Sequence, residues 1–254
     1  MLPLYERLNA PKPVLRIPFG KVAAAVVSLP LGSFTFCVIW SLLFEFRRST
    51  YTHCDVPNFL PSISAAIGNY NPQRTVWRVA ICLHLPARLA VAKIYWKYYQ
   101  TAIRKNRRIL GTVACLLNVI ENFALLSLSL WTSSDNYKIH RNSFVAFILC
   151  SELYMLISYF LNKNGRRGPL IPIEEKALKY KRNLFITNLT AFLLAGYCFM
   201  RHNSRCEPGV YTLFALFEYV VVWTNMGFHM TAVMDFYAST VIFDWQKGLY
   251  LSQF

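Results

Sequence analysis

The sequence predicts an all-α polytopic membrane protein: a compact bundle of about six transmembrane helices, with both termini in the cytosol. Three observations carry that expectation. Of 254 residues, 55% are hydrophobic and only 15% are charged, against about 25% charged in a typical soluble domain. The apolar residues gather in runs close to the ~20 residues that a helix needs to cross a bilayer. The excess of base, 27 Lys and Arg against 12 Asp and Glu for a formal charge of +15, is broken into short clusters between those runs. Such clusters suit cytosolic loops beside anionic lipid. Nucleic-acid binding, which gathers base on one face or stripe, is excluded by that distribution.

The first predicted span covers residues 22–44. No small-x-small cleavage site follows it, so it reads as an uncleaved span rather than a signal peptide. Pro30 and Gly32 are expected to bend it. The second span, 75–99, is interrupted by Arg78, His84, Arg88 and Lys93. The third is 109–131, the fourth 142–161, the fifth a short 184–200, and the sixth 209–234. No long soluble segment, internal repeat or low-complexity tract remains, so 1–254 reads as a single transmembrane domain.

Orientation follows from the basic residues beside the spans. The side holding the termini carries Arg7, Lys12, Arg16 and Lys21, then Arg104, Lys105, Arg107 and Arg108. It also carries Lys163, Arg166, Arg167, Lys176, Lys179, Lys181, Arg182 and Lys247. The other side has Arg47, Arg48, Arg74, Lys138, Arg141, Arg201 and Arg205, fewer than half as many. The termini are therefore expected in the cytosol. Trp77, Trp96, Trp131, Tyr197 and Tyr211 stand near span ends, as interfacial aromatics do.

Cys37, Cys82, Cys115, Cys150 and Cys198 lie inside apolar spans and read as small packing residues. Cys54 and Cys206 lie in loops on the non-cytosolic side. A secretory lumen permits a disulfide between them, tying the first lumenal loop to the third; two free thiols are the alternative. No Cys/His pattern of zinc spacing occurs, so no metal is expected.

Four stretches carry a resemblance. They are THCDVPNFLPSISAAIGNYNPQRTVWR at 52–78, RHNSRCEPGVYTLFALFEYVVVWTNMGFHMTAVMDF at 201–236, LNVIENFALL at 117–126 and WSLLFEF at 40–46. Together they resemble the post-GPI-attachment-to-proteins factor 2 family, within a broader DRAM-like group of multispan proteins. The resemblance runs in order from the first span through Phe236. The basic loop 162–182 and the tail after Phe236 fit less closely. It implies a role in remodelling the lipid of GPI anchors in the Golgi, with the endoplasmic reticulum as the other candidate membrane. There a saturated chain is attached to lyso-GPI after the unsaturated sn-2 chain has been removed. It further implies lyso-GPI and GPI-anchored proteins as partners, other remodelling enzymes nearby, and acyl-CoA or a phospholipid as acyl donor, with no bound cofactor. Whether such a chain transfers the acyl group itself, presents the lipid to a separate transferase, or acts as an adaptor without GPI chemistry stays open at this point.

An ionisable group inside a span is costly and marks a candidate site. His84 and Arg88 share one helical face, with Arg78 nearer the lumenal end. These cations are expected to hold a lipid phosphate; the plainer reading has Arg78 and Lys93 reaching to the headgroups on their own sides. Asn118, Glu121 and Asn122 form a second face, with Arg88 or His84 as the expected partner of Glu121 and Glu152 as a competitor for it. Glu121 is then an ion-pair member, an acid or base in acyl transfer, or polar glue between helices. Glu218, Asn225 and His229 share a stripe of the sixth span. Helical rise puts Glu218 in the lumenal half, and His229 close to the cytosolic end beside Asp235. The expected site is thus His84 and Glu121 as catalytic groups, with Arg78, Arg88, Asn122, Glu218 and Asn225 binding substrate.

The lumenal histidines His53, His140 and His202 form a separate set, His202 lying near Glu207. No G-x-S-x-G elbow and no H-x-x-x-x-D arrangement is present. Asn188 opens an N-x-T triplet, but within a span, where glycosylation is not expected.

Overall fold

The computed structural model describes residues 15–244 and 248–253. Arg7, Lys12 and Lys247, which entered the orientation argument, lie outside the described residues. The chain enters through a short strand, β1 (Leu15–Pro18), and continues into α1 (Phe19–Phe44). Two short helices, α2 (Phe46–Thr50) and α3 (Ile63–Gly68), precede α4 (Gln73–Ala102). Then come α5 (Arg108–Leu130), α6 (Tyr137–Phe160) with a π turn at Leu161–Gly165, and α7 (Pro172–Arg205). The sixth long helix is α8 (Val210–Met230), followed by the single turn α9 (Ala232–Asp235). The chain closes on β2 (Ser239–Asp244) and β3 (Gly248–Gln253).

Five of these helices are long and apolar enough to cross a membrane: α1, α4, α5, α6 and α7. The sixth is diluted by Glu218, Asn225 and His229, but its 21 residues reach about 32 Å, close to a hydrocarbon layer. It lies antiparallel along α7. Phe199 stacks on Phe214 near the shared turn, Asn188 bonds the Val221 carbonyl midway, and Gly227 sits against Leu184 further along. A Cβ on Gly227 would lie 3.2 Å from Leu184, so glycine allows the two helices to close there.

The structure extends the fifth predicted span most. The expected 184–200 is the apolar part of a 34-residue helix. Its first turns carry Glu174, Glu175, Lys176, Lys179, Lys181 and Arg182, which conceal a helix from a hydropathy reading. Pro172 sits at its start, where the missing N–H costs nothing. The Glu174 carboxylate accepts from the Ile171 N–H at 3.1 Å and closes the first turn.

Outside the expected spans, the first and last described residues pair as strands. β1, β2 and β3 form an antiparallel sheet in that order, with Leu15 opposite Phe243 and Ser239 opposite Gln253. STVIFD in β2 is rich in β-branched and aromatic residues and is almost wholly buried, so it fits a covered central strand. The sheet packs Val241 and Leu251 against Phe19, Tyr95, Tyr99 and Phe236 at one end of the bundle.

The opposite end is organised by the connection 51–72, which holds α3. A disulfide joins Cys54 to Cys206, and the loop then lies along the start of α8. Gly209 N–H donates to the Pro57 carbonyl at 3.2 Å, and Phe59 N–H donates to Thr212 Oγ1 at 2.8 Å. Tyr219 donates its hydroxyl to the Pro61 carbonyl at 2.6 Å. Gly209 takes φ +77 at the head of α8, a left-handed conformation that glycine adopts without strain.

Candidate functional site

The polar groups of four helices meet between these two ends. Asn118, Glu121 and Asn122 project from one face of α5, as their spacing requires. Glu121 is 2% exposed. Its Oε2 accepts from Asn118 Nδ2 at 3.1 Å, and its Oε1 accepts from Asn225 Nδ2 of α8 at 3.1 Å. Asn225 spends its second N–H on Ser151 Oγ of α6 at 2.6 Å. His229 Nε2 lies 3.0 Å from Glu121 Oε1, with its ring stacked on Tyr154 of α6 at 5.4 Å between centroids. Arg88 of α4 donates from Nε to Asn122 Oδ1 at 3.1 Å and brings Nη2 to 2.8 Å from His229 Nε2.

One nitrogen therefore stands between a guanidinium and a carboxylate. Neutral imidazole Nε2 either donates to Glu121 or accepts from Arg88, and it cannot do both. The position of a single proton decides which contact is a hydrogen bond and leaves the opposite character on Nδ1. One cation and one anion within the same network also reduce the cost of holding charge in an apolar interior.

His84 belongs to this neighbourhood but not to the network. It was expected as a partner of Glu121; instead its Nδ1 lies 2.8 Å from the Val26 carbonyl of α1. The reason is Pro30, inside α1. Proline has no N–H, so the carbonyl four residues back, that of Val26, has no helical donor. A carbonyl only accepts, so Nδ1 carries the proton, and the Nε2 of neutral His84 is left with its lone pair.

Two expected members sit elsewhere. Arg78 binds the end of α5: it donates to the Ser129 carbonyl at 3.2 Å, to the Leu130 carbonyl, and to Asp135 at 3.1 Å. Arg74 pairs with the same carboxylate. Desolvation works against the charged form of Asp135, yet the bonds from Arg74 and Thr132 hold it below the ordinary aspartate range. Glu218 accepts from the Ile63 N–H at 3.0 Å, where Ser62 caps α3. It is an anchor for the connection 51–72 and has no bond to Glu121.

The stripe on α8 is thus divided, though not at the depth expected for His229. Counting from Gly209 placed His229 far below Glu121. The first turns of α8 are sheathed by residues 57–63, so the helix is offset along its axis relative to α5, and His229 comes level with Glu121. Asp235, expected beside His229, binds Lys181 at 2.6 Å and Tyr95 at 2.7 Å. That Lys181 is 1% exposed and belongs to the buried seam between α7 and α9, not to a basic loop. Glu152 does not compete for the network's cation, and neither of its oxygens has a hydrogen-bond partner among the described residues.

The histidines expected on the lumenal side serve the loops. His140 bridges Ser64 Oγ and the Trp131 carbonyl, both at 3.0 Å. His202, fully buried, bonds Thr52 Oγ1 at 3.1 Å. Glu207 pairs with Arg201 at 2.6 Å rather than with His202, and that bond lowers its carboxyl below the ordinary glutamate range. Among the surface hollows are two of about 350 and 340 Å³; neither of these is lined by Glu121, His229, Arg88 or Asn225.

Reading the sequence missed Ser151, Tyr154 and the central place of His229. Ser151 and Tyr154 are three apart on α6 and look like ordinary packing positions. His229 was visible as an intramembrane histidine four residues from Asn225 on the same stripe as Glu218.

A membrane bundle with a four-helix polar network and a disulfide-tied loop is the class that fold and site define. The model of the Frag1/DRAM/Sfk1/Cwh43P N-terminal domain matches residues 18–239. Over the whole of both chains, this sequence is 67% identical to "Post-GPI attachment to proteins factor 2" of Drosophila pseudoobscura pseudoobscura and 66% identical to the protein of that name in Drosophila melanogaster. It is 46% identical to "Acyltransferase PGAP2" of Xenopus tropicalis over 86% of this chain and 87% of that one. The chain belongs to the post-GPI attachment to proteins factor 2 family, within the Frag1/DRAM group. No solved structure matches it.

Proposed function

We propose that this protein remodels the lipid of GPI anchors by attaching an acyl chain to lyso-GPI. The observation that carries the reading is the network around Glu121. It gathers a carboxylate, a guanidinium and an imidazole from three helices inside a membrane bundle, where unpurposed charge is expensive. The names of the relatives, one of them an acyltransferase, support the same chemistry.

In this reading His84 is the base and Glu121 the fixed charge of the site. With Nδ1–H held by the Val26 carbonyl, Nε2 accepts the proton of the lyso-lipid's sn-2 hydroxyl. The hydroxyl oxygen bonds to the acyl carbonyl carbon of the donor. The donor's bond to that carbon breaks, and its leaving group takes up the proton from His84. Arg88, one helical turn from His84, faces the charge that develops on the carbonyl oxygen. Glu121, held by Asn118 and Asn225, sets the state of His229 and so the orientation of Arg88. The disulfide end faces the lumen of the Golgi, where GPI-anchored proteins carry the substrate and other remodelling enzymes precede this step.

A second reading is favoured by one observation: neither of the two hollows described above is lined by a residue of the network. In it the protein presents lyso-GPI to a separate acyltransferase. Purified protein in nanodiscs, given defined lyso-GPI and an acyl donor, separates the two. Acylated product without a second protein, lost in His84→Ala, supports the transferase. Tight lyso-GPI binding without product supports presentation.

A further inference from the structure

The hollow beside Lys93 has no place in the site as described. It is a groove of about 340 Å³ between α4 and α5, lined by Leu89, Ala92, Lys93, Trp96, Cys115 and Leu116 among others. It exists because small side chains meet at its floor. Ala92 and Cys115 are buried there, while Trp96 and Leu116 stand up as exposed walls. Lys93 is its one charged residue, exposed at the rim and without an acidic partner among the described residues. Lys93 and Trp96 mark the interfacial level on the side of the chain ends, where lysine reaches headgroups and tryptophan anchors.

The floor is also the back of the network. Ala92 lies one turn from Arg88, and Cys115 one turn from Asn118. A chain lying in the groove runs along the seam between the two helices that hold Arg88 and Glu121.

We infer that this groove binds an anionic glycerophospholipid of the leaflet on the side of the chain ends, its phosphate on Lys93 and one acyl chain between α4 and α5. The single rim cation matches one phosphodiester, and apart from Lys93 and Thr112 the lining is apolar. That favours a bilayer lipid over acyl-CoA, whose several phosphates and nucleotide need a polar site.

The test is photo-crosslinking in nanodiscs with phosphatidylserine or phosphatidylcholine, each carrying a diazirine in the acyl chain, mapped by peptide mass spectrometry. Adducts of the anionic lipid concentrate on Leu89, Ala92 and Cys115, at least five-fold over Leu193 and Leu194 on the outer face of α7. Lys93→Gln, on an exposed side chain that the fold does not need, lowers the anionic adducts about three- to ten-fold and leaves the phosphatidylcholine adducts unchanged. Cys115→Trp fills the floor and removes both. Even labelling of α4, α5 and α7, no response to Lys93→Gln, or displacement of the lipid by acyl-CoA each overturns the proposal.

Discussion

Glu121 and Glu218 are carboxylates in apolar helices, and each is held by hydrogen bonds. Glu218 accepts a backbone N–H from the capped start of α3, so its partner is a loop and its consequence is docking of that loop. Glu121 accepts side chains from α5 and α8, and its oxygen shares His229 with a guanidinium from α4. A carboxylate on a backbone amide has one stable arrangement. A carboxylate facing groups that themselves carry movable protons has more than one. The difference between anchor and candidate reactive centre therefore lies in the partners, not in residue type or membrane setting.

The largest expected effect separates the two directly. Glu121→Gln keeps the shape and removes the charge, and should lower lyso-GPI acylation by roughly 100-fold or more while the Cys54–Cys206 bond and size-exclusion profile stay normal. Glu121→Ala also leaves buried donors unpaired and should cost about 3–5 kcal/mol of stability, read as a lower thermal midpoint. Next in size is the loop tie. Cys54→Ser with Cys206→Ser removes a crosslink across 152 residues of separation, and a loss of about 2–4 kcal/mol is expected in thermal unfolding.

Glu218→Gln should act on the loop and spare the chemistry. The bond from the Ile63 N–H weakens, a change of about 0.5–1.5 kcal/mol. Hydrogen exchange should rise in residues 57–68, with acylation within about ten-fold of the parent. If Glu218→Gln abolishes acylation at an unchanged exchange pattern, the division between anchor and centre fails. The smallest effect is at Asp135. Its folded value is depressed, so its contribution is fully present above the ordinary aspartate value of about 4 and is lost as pH falls through the lower folded value. Thermal midpoints measured from pH 6 down to pH 2.5 should fall in the parent more steeply than in Asp135→Asn.

Composition and periodicity were enough to read the spans, because burial in lipid demands long apolar runs whatever the fold. They did not reveal the charged first turns of α7 or the terminal sheet, since neither is apolar in that way. The site was legible as faces. Asn118, Glu121 and Asn122 share one, and Asn225 with His229 another, and those two faces meet. What spacing along one helix does not contain is the axial offset between helices. The connection 51–72 sets that offset for α8 through tertiary contacts, so His229 was placed at the wrong level. His84 illustrates another gap: its partner is a backbone carbonyl released by Pro30, which was read only as a bend.

The central claim is that Glu121 governs a reactive intramembrane site. Single-turnover acylation of defined lyso-GPI by purified protein in nanodiscs tests it most directly, comparing the parent with Glu121→Gln and Glu218→Gln. The account predicts product in the parent, near-parental rates in Glu218→Gln and a loss of about 100-fold in Glu121→Gln. Equal rates in the parent and in a well-folded Glu121→Gln would contradict it.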